Sequence, residues 1–205
     1  MSSPVARPTP RSKIGVRYQD AQRAALELFA ERGFSRVGMR DLAAHMGIAA
    51  GSLYNHIESK EALLFEFIEE LYEELLLSAH QASRQAVTAS ARLQALIEAH
   101  LRLHAKMGAH FRLAEYESHC LASEQQTRIR ELRARYEQLL IESVERCSGK
   151  SVGASGRAAL SGIVTLLNQL PAWVEAPQLS PQARQDLLCD MALGTLRGVL
   201  LTPRD

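Results

Sequence analysis

Apolar residues recur every three or four positions along most of this 205-residue chain, which is the period of an amphipathic α-helix. The first such stretch covers residues 18–32 and ends before Gly33, a residue suited to the left-handed conformation that closes many helices. No stretch shows the sustained alternation that marks a half-buried strand. The pattern therefore predicts an all-α protein of about nine helices, over residues 18–32, 39–46, 50–57, 60–85, 90–107, 109–121, 123–147, 156–174 and 181–200.

Short polar side chains precede four of these stretches, where they can accept hydrogen bonds from the free backbone N–H groups of a first helical turn. We expect these residues to fix where the helices begin. The predicted caps are Ser59, Ser90, Ser123 with Gln126 as a capping box, and Ser180 with Pro181 at the first helical position.

The second and third predicted helices are short, and Gly47 separates them. Two short helices that meet in a tight turn, braced by a longer one, form the helix-turn-helix unit of many DNA-binding domains. We therefore divide the chain into a flexible basic arm (residues 1–16), a DNA-binding head (residues 17–62) and a helical body (residues 63–205).

Charge is distributed unevenly between the two ends of the chain. Residues 1–60 hold nine Lys or Arg against five Asp or Glu, a net charge of +4, whereas the rest holds 15 against 18, a net charge of −3. A basic head on an acidic body is expected if only the head meets a polyanion, because phosphate contacts supply the sequence-independent affinity for DNA. Basic arms of the kind seen here also lie along phosphates or enter a minor groove.

Several classes of protein are excluded by what the sequence lacks. No apolar run approaches the ~18 to 20 residues of a membrane span, and the N-terminus has no apolar signal-peptide core, so we expect a cytoplasmic protein with no membrane contact. The wide spacing of Cys120, Cys147 and Cys189 is typical of reduced thiols rather than of a disulfide framework or a metal site. No phosphate-binding loop, dinucleotide-binding glycine pattern or nucleophile elbow occurs, so neither catalysis nor a cofactor is expected.

Residues 33–64, GFSRVGMRDLAAHMGIAAGSLYNHIESKEALL, carry the most specific motif in the chain. This segment closely resembles the N-terminal motif of the tetracycline-repressor (TetR) family of transcription regulators. The resemblance implies a three-helix helix-turn-helix domain followed by a helical ligand-binding and dimerisation domain, in a homodimer that binds double-stranded operator DNA and is released by a small-molecule effector. The matching positions are Gly33, Phe34, Asp41, Leu42, Ala43, Gly47, Ile48, Gly51, Ser52, Leu53, Tyr54, Ile57, Ser59, Lys60 and Leu63.

Residue chemistry within this motif indicates which side chains meet DNA. Small residues that open the recognition helix permit close approach to the major groove, and Asn55 can read adenine bidentately or face solvent. Lys60 is placed to bind phosphate, whereas Asp41 is expected to cap its own helix because phosphate repels a carboxylate. The predicted DNA-binding residues are Arg40, Ala50, Gly51, Ser52, Tyr54, Asn55, His56 and Lys60.

Three positions depart from the family pattern, because Val37, Gly38 and Ala49 stand where relatives often have serine or threonine. The lost hydroxyl groups would have capped helices and touched phosphates. Sequence specificity is therefore expected to depend on Arg40, Asn55, the basic arm and the shape of the DNA.

The body resembles, less specifically, the TetR regulators of acyl-coenzyme A metabolism, over the segment that follows His110 and over residues 168–173. An arginine of those relatives is replaced here by Ala172. Apolar residues mixed with a few polar anchors are typical of a pocket for an amphipathic ligand, which we expect between the helices over residues 60–85 and 156–174. The predicted effector-binding residues are Leu96, His100, His104, Met107, Phe111, Arg112, Tyr116, Arg133 and Trp173.

The last two predicted helices are apolar around much of their circumference, more than one chain could bury. Small residues four positions apart would also let a partner helix approach closely. A two-fold four-helix interface explains both features. The predicted dimer contacts are Leu160, Ile163, Leu167, Leu188, Met191, Gly194 and Gly198.

Three other interpretations remain open at this point. The effector could be a planar aromatic or drug-like molecule, or the protein could bind DNA only architecturally, without a ligand. His100 and His104, four residues apart on one helix, also have the spacing of a two-histidine metal half-site, although no carboxylate or cysteine accompanies them at a ligand spacing.

Overall fold

The computed structural model describes residues 10–55, 57–174 and 177–198, with side chains from residue 18 onward. Eight α-helices make up these ranges, and the predicted all-α fold is confirmed. None of them combines the length and hydropathy needed to cross a membrane. The helices are α1 (Pro10–Arg32), α2 (Met39–His45), α3 (Ala50–Leu53), α4 (Lys60–Gln85), α5 (Ala89–Tyr116), α6 (Ser123–Ser148), α7 (Ala154–Trp173) and α8 (Pro181–Leu196), with 3₁₀ turns at Phe34–Arg36 and Ser118–Cys120.

The head consists of α1, α2 and α3 around a small apolar core, as predicted. Phe34 packs edge-on against Phe29 with ring centroids 5.2 Å apart, and Leu42, Leu53 and Ile57 are buried beside them. Because α1 already begins at Pro10, residues 10–16 are helical rather than part of a flexible arm, and residues 1–9 lie outside the described ranges.

Two glycines allow the sharp turns of the head. Gly33 has φ +84° where α1 ends, and Gly47 has φ +67° between α2 and α3. A residue with a Cβ atom is strained in this left-handed region, so the motif requires glycine at both positions.

Helix α4 connects the head to the body. Ser59 caps it as predicted, because its Oγ accepts a hydrogen bond of 3.0 Å from the Ala62 N–H group. Glu66 accepts hydrogen bonds from the Tyr18 hydroxyl at 2.6 Å and from the Gln22 amide at 2.8 Å, which joins α4 to α1. Burial and the neighbouring Glu66 carboxylate raise the pKa of Tyr18 to about 12, so the hydroxyl remains a donor.

Helix α5 replaces two helices of the prediction. The expected break after residue 107 is a kink, since Met107 has non-helical angles (φ −118°, ψ 31°) inside one continuous helix. Thr88 rather than Ser90 caps α5, with its Oγ1 3.1 Å from the Ala91 N–H group. The helix count therefore falls from nine to eight in the described ranges.

The start of α6 also differs from the prediction. The Gln125 side chain accepts a hydrogen bond from the Ala122 N–H group at 3.0 Å, whereas the predicted partner, Gln126, donates to the carbonyl oxygen of Leu121 instead. Ser180 caps α8 as predicted, with the Ala183 N–H group 3.2 Å from its Oγ.

Helices α7 and α8 pack against each other and against α5 within one chain. Four predicted dimer contacts are therefore buried in the monomer core and leave no surface for a second chain: Leu160, Ile163, Leu167 and Leu188. The prediction was wrong for these four residues because a helix that is apolar around most of its circumference can lie either in a dimer interface or in the centre of a helical bundle. Met191, Gly194 and Gly198 remain exposed.

Candidate DNA-binding face and effector cavity

The predicted DNA-binding residues lie on one short, exposed region of the head. Gly51 and Ser52 open α3 and are exposed, as are Asn55 after its end and Arg40 on α2, while Ala50 is half-buried. Tyr54 exposes 60% of its surface, which is unusual for a large aromatic residue. His56 lies outside the described residues.

Asp41 turns away from this face and caps its own helix. Its Oδ2 accepts a hydrogen bond of 2.8 Å from the Gly38 N–H group at the start of α2. The expected capping role is therefore confirmed. Because the Gly38 N–H group donates this hydrogen bond, it is not free to donate to a phosphate.

Lys60 stands at the base of the head, where its ammonium group holds the loop after α1. The Nζ atom donates to the carbonyl oxygens of Phe34 at 3.3 Å and of Val37 at 3.2 Å. An ammonium group has three N–H donors, so these two bonds leave one for a phosphate. Sequence reasoning identified the cation but not its two carbonyl partners.

A cavity of about 410 Å³ opens where the head meets the body. It lies between α1, α5 and α7, and its walls do not include the expected α4. The ring of His104 stacks on Phe111 with centroids 4.5 Å apart and forms an apolar wall. The lining residues are Ala30, His104, Gly108, Ala109, Phe111, Arg112, Glu115, Tyr116, Asn168, Gln169 and Ala172.

Polar groups converge on the same cavity. The Tyr116 hydroxyl donates to Gln169 Oε1 at 3.0 Å, and the Asn168 amide group donates to Glu115. The side chain of Asn168 also interacts with the buried ring of His100. Arg112 donates from Nη1 to the main-chain carbonyl oxygen of Ala30 at 2.9 Å, which ties the last turn of α1 to the body.

His100 lies behind this cavity rather than in its wall. It is buried, and its Nδ1 is 2.8 Å from the Tyr136 hydroxyl. Burial, together with the nearby His104, lowers the pKa of His100 to about 3, so the ring is neutral. His104 Nε2 contacts the carbonyl oxygen of Asn168 at 3.0 Å, so each of these two histidines uses a ring nitrogen in a contact within the chain.

The remaining predicted effector residues are dispersed. Leu96 and Met107 are buried in the core and do not line the cavity. Trp173 exposes 63% of its surface at the end of α7, and Ala172 lines the cavity instead. Arg133 pairs with Glu137 at 3.0 Å and lines a different cavity, of about 280 Å³, with Tyr72.

Sequence reasoning missed seven residues of the cavity: Ala30, Gly108, Ala109, Glu115, Ala172, Asn168 and Gln169. The last two carried a usable signal, because two adjacent amides interrupt an otherwise apolar helix and are buried. Ala30 carried no signal in the sequence, because its role depends on its backbone carbonyl oxygen, which accepts the hydrogen bond from Arg112.

Comparison with known proteins places both parts of the chain in one family. Residues 23–67 match the model of bacterial regulatory proteins of the tetR family, and residues 86–196 match the tetracyclin repressor-like C-terminal domain. The HTH-type transcriptional repressor KstR2 of Rhodococcus jostii is 31% identical over 124 residues, which are 59% of this chain and 60% of that protein's length.

Two solved structures share the fold. A tetR-family regulatory protein from Rhodococcus RHA1 superposes with a TM-score of 0.78 at 23% identity, over 91% of this chain and 98% of that one. AibR, solved with isovaleryl coenzyme A and operator DNA, has a TM-score of 0.71 at 20% identity, over 85% and 97%. With a helix-turn-helix head and a matching C-terminal domain, the chain belongs to the TetR family of transcription regulators, which are not enzymes.

Proposed function

We propose that this protein is a repressor that binds a palindromic operator as a homodimer and is released when a small amphipathic acid derivative enters the cavity between α1, α5 and α7. The observation that carries the proposal is the hydrogen bond from Arg112 to the Ala30 carbonyl oxygen, because both residues line that cavity. Arg112 is in the body and Ala30 is in the head, so the bond joins the two parts of the chain.

The cavity has the size and chemistry of an effector site. Its volume of about 410 Å³ lies within the range of small-molecule pockets. Phe111 supplies apolar surface, and the Arg112 guanidinium supplies donors for an anion or a carbonyl.

An acyl-coenzyme A thioester matches these groups better than a free fatty acid. The acyl chain would occupy the apolar part, and the pantetheine arm offers carbonyl oxygens to Arg112. The nucleotide part would extend beyond a cavity of this volume. The AibR structure, whose ligand is isovaleryl coenzyme A, supports this class of effector.

Release from DNA follows from competition for Arg112. A C-terminal helical turn has carbonyl oxygens without intrahelical partners, and Arg112 satisfies the one at Ala30. An effector that takes this guanidinium removes the bond, so the head and its recognition helix can change orientation. By linkage, DNA and effector then oppose each other by a coupling free energy of ~1 to 3 kcal/mol.

A dimer supplies the second recognition helix. Four exposed residues of small or apolar type follow one face along α8 and its extension, at spacings of four, three and four residues. A second copy of this face would bury them around a two-fold axis. These residues are Leu187, Met191, Gly194 and Gly198.

Contacts to DNA are assigned to the exposed face of the head. Arg40 and Asn55 would read base edges, Ser52 would bond to a base edge or a phosphate, and Tyr54 and Lys60 would bind phosphates. The small side chains at Ala50 and Gly51 would let the backbone approach the groove. His56 joins this set on the sequence motif alone.

Titration of the operator complex tests the effector class. Acyl-coenzyme A thioesters, free fatty acids and aromatic acids are added separately, and both operator release and thermal stability are measured. We expect thioesters to release DNA and to raise the melting temperature of the free protein. A response to planar aromatic acids but not to thioesters would replace the proposed class.

Variants of Arg112 test the release mechanism. Arg112→Ala should weaken thioester binding at least tenfold and alter operator affinity even without ligand, since the Ala30 contact is lost in both states. Arg135→Ala, which removes an exposed arginine of α6, is the matched control and should change neither. Tight thioester binding that leaves operator affinity unchanged would contradict the proposal.

A further inference from the structure

The 3₁₀ turn between α5 and α6 brings together three side chains that bind metals. Glu117, His119 and Cys120 each offer one ligand atom, and these atoms all lie within 4.8 Å of one another. This group was not predicted from the sequence, because a glutamate, a histidine and a cysteine within four residues match no common zinc-site spacing. None of the three lines the effector cavity.

Their separations are those of neighbouring ligands around one ion. Cys120 Sγ lies 3.4 Å from His119 Nε2 and 3.9 Å from Glu117 Oε2. Zinc bonds of ordinary length in a tetrahedron place a sulfur and a nitrogen or oxygen ligand about 3.5 Å apart. Small rotations of exposed or half-buried side chains would therefore complete the geometry.

The donor set selects the kind of metal. A thiolate and an imidazole favour Zn²⁺ over Mg²⁺ and Ca²⁺, which prefer oxygen ligands, and a carboxylate completes a set of three. Three protein ligands leave a fourth position for water or for the hydroxyl of Ser35, whose Oγ is 3.8 Å from Cys120 Sγ. His119 is exposed, so an ion can enter from solvent.

We propose that Glu117, His119 and Cys120 form a Zn²⁺ site at the contact between body and head. The two oxygens of Glu117 have different tasks. Oε2 faces the thiol, whereas Oε1 accepts a hydrogen bond of 3.2 Å from the Phe34 N–H group of the head. An ion bound to Oε2 fixes the carboxylate, and through it the loop that follows α1.

Zinc titration of the reduced, metal-free full-length protein tests the site, with a chromophoric chelator as competitor. We expect one Zn²⁺ per chain, and at least tenfold weaker binding for His119→Ala and for Cys120→Ser. Cys147→Ser removes another half-buried thiol on α6 and is the matched control. Binding that is absent, or that Cys147→Ser weakens as much as Cys120→Ser does, overturns the proposal.

Two spectroscopic readouts separate coordination from nonspecific stabilisation. Cobalt substituted for zinc should show thiolate-to-metal charge-transfer absorption that Cys120→Ser abolishes. Hydrogen exchange of the Phe34 amide should slow when zinc binds the unaltered protein and should not slow in Cys120→Ser. Zinc binding that leaves this amide unchanged would refute the link to the head.

Discussion

The ammonium group of Lys60 lies 4.2 Å from the centroid of the Phe34 ring and donates a hydrogen bond to the carbonyl oxygen of the same residue. One cation thus closes the loop after α1 from the first residue of α4. It stands beside the helix-turn-helix surface, where its remaining N–H group can meet a phosphate. Lys60 therefore contributes both to the packing of the head and to the positive charge that the head offers to DNA.

Replacing Lys60 by methionine keeps the apolar stem but removes the ammonium group, and with it both the contacts to the loop after α1 and the charge offered to phosphate. Lys60→Met should weaken binding to operator and to random DNA alike, and should reduce the dependence of affinity on salt by roughly one charge. Affinity measured at several salt concentrations provides the check. A changed preference for operator bases with an unchanged salt slope would contradict the phosphate assignment.

Two neighbouring glycines should respond differently to alanine. Gly47→Ala should lower the free energy of unfolding by ~1 to 2 kcal/mol, since its φ of +67° strains any residue with a Cβ atom. Gly51→Ala has open space around the new methyl group and should not destabilise the fold. Instead it should weaken operator binding, because the methyl group lies on the exposed recognition surface. Denaturant unfolding measures the stability of both variants, and titration with operator DNA measures their affinity.

An arginine on the exposed face of α8 should prevent dimerisation. A Cβ atom at position 194 meets no described atom within 4 Å, so the fold of Gly194→Arg should persist while the charge blocks a second copy. Leu77→Arg, at an exposed position of α4, is the control. Ultracentrifugation should show monomers only for the first variant, and footprinting of the unaltered protein should protect two half-sites about one or more helical turns apart. A monomer of the unaltered protein at micromolar concentration would refute the dimer.

Acid should destabilise the protein through His100. The folded chain keeps this ring neutral down to a pH near its lowered pKa of about 3, whereas the unfolded chain protonates it near the ordinary value of 6.5. The unfolded state thus binds one more proton between these values, and stability falls by ~1.4 kcal/mol per unit as pH decreases. His100→Gln removes this difference of one bound proton. The slope of unfolding free energy against pH should therefore decrease by ~1.4 kcal/mol per pH unit over this range.

Most of the head could be predicted because local rules determine it, although the third helix, expected over residues 50–57, ends at Leu53. Gly33, Asp41 and Ser59 each act within four residues of their own position, through a positive φ angle or a capping bond. The break expected after residue 107 was also located correctly, although helix propensity cannot distinguish a kink from two separate helices.

The cavity and the burial of α7 could not be predicted because they depend on contacts distant in sequence. Arg112 meets a carbonyl oxygen 82 residues away, and His104 meets another at a separation of 64 residues. The apolar residues Leu160 and Leu188 suited an interface or a core equally well, and only the packing of α7 and α8 within one chain decided for the core.

Helix α4 runs without interruption from Lys60 to Gln85, and Phe67 within it packs against Phe29 of the head and His110 of the body. The two family matches end and resume inside this one helix and its following turn, at residues 67 and 86. A chimaera that exchanges heads between relatives must therefore preserve helical phase. One residue inserted after Phe67 would turn the head by about 100° relative to the body, whereas seven residues, close to two full turns, would restore its azimuth and displace it by about 10 Å along the helix axis.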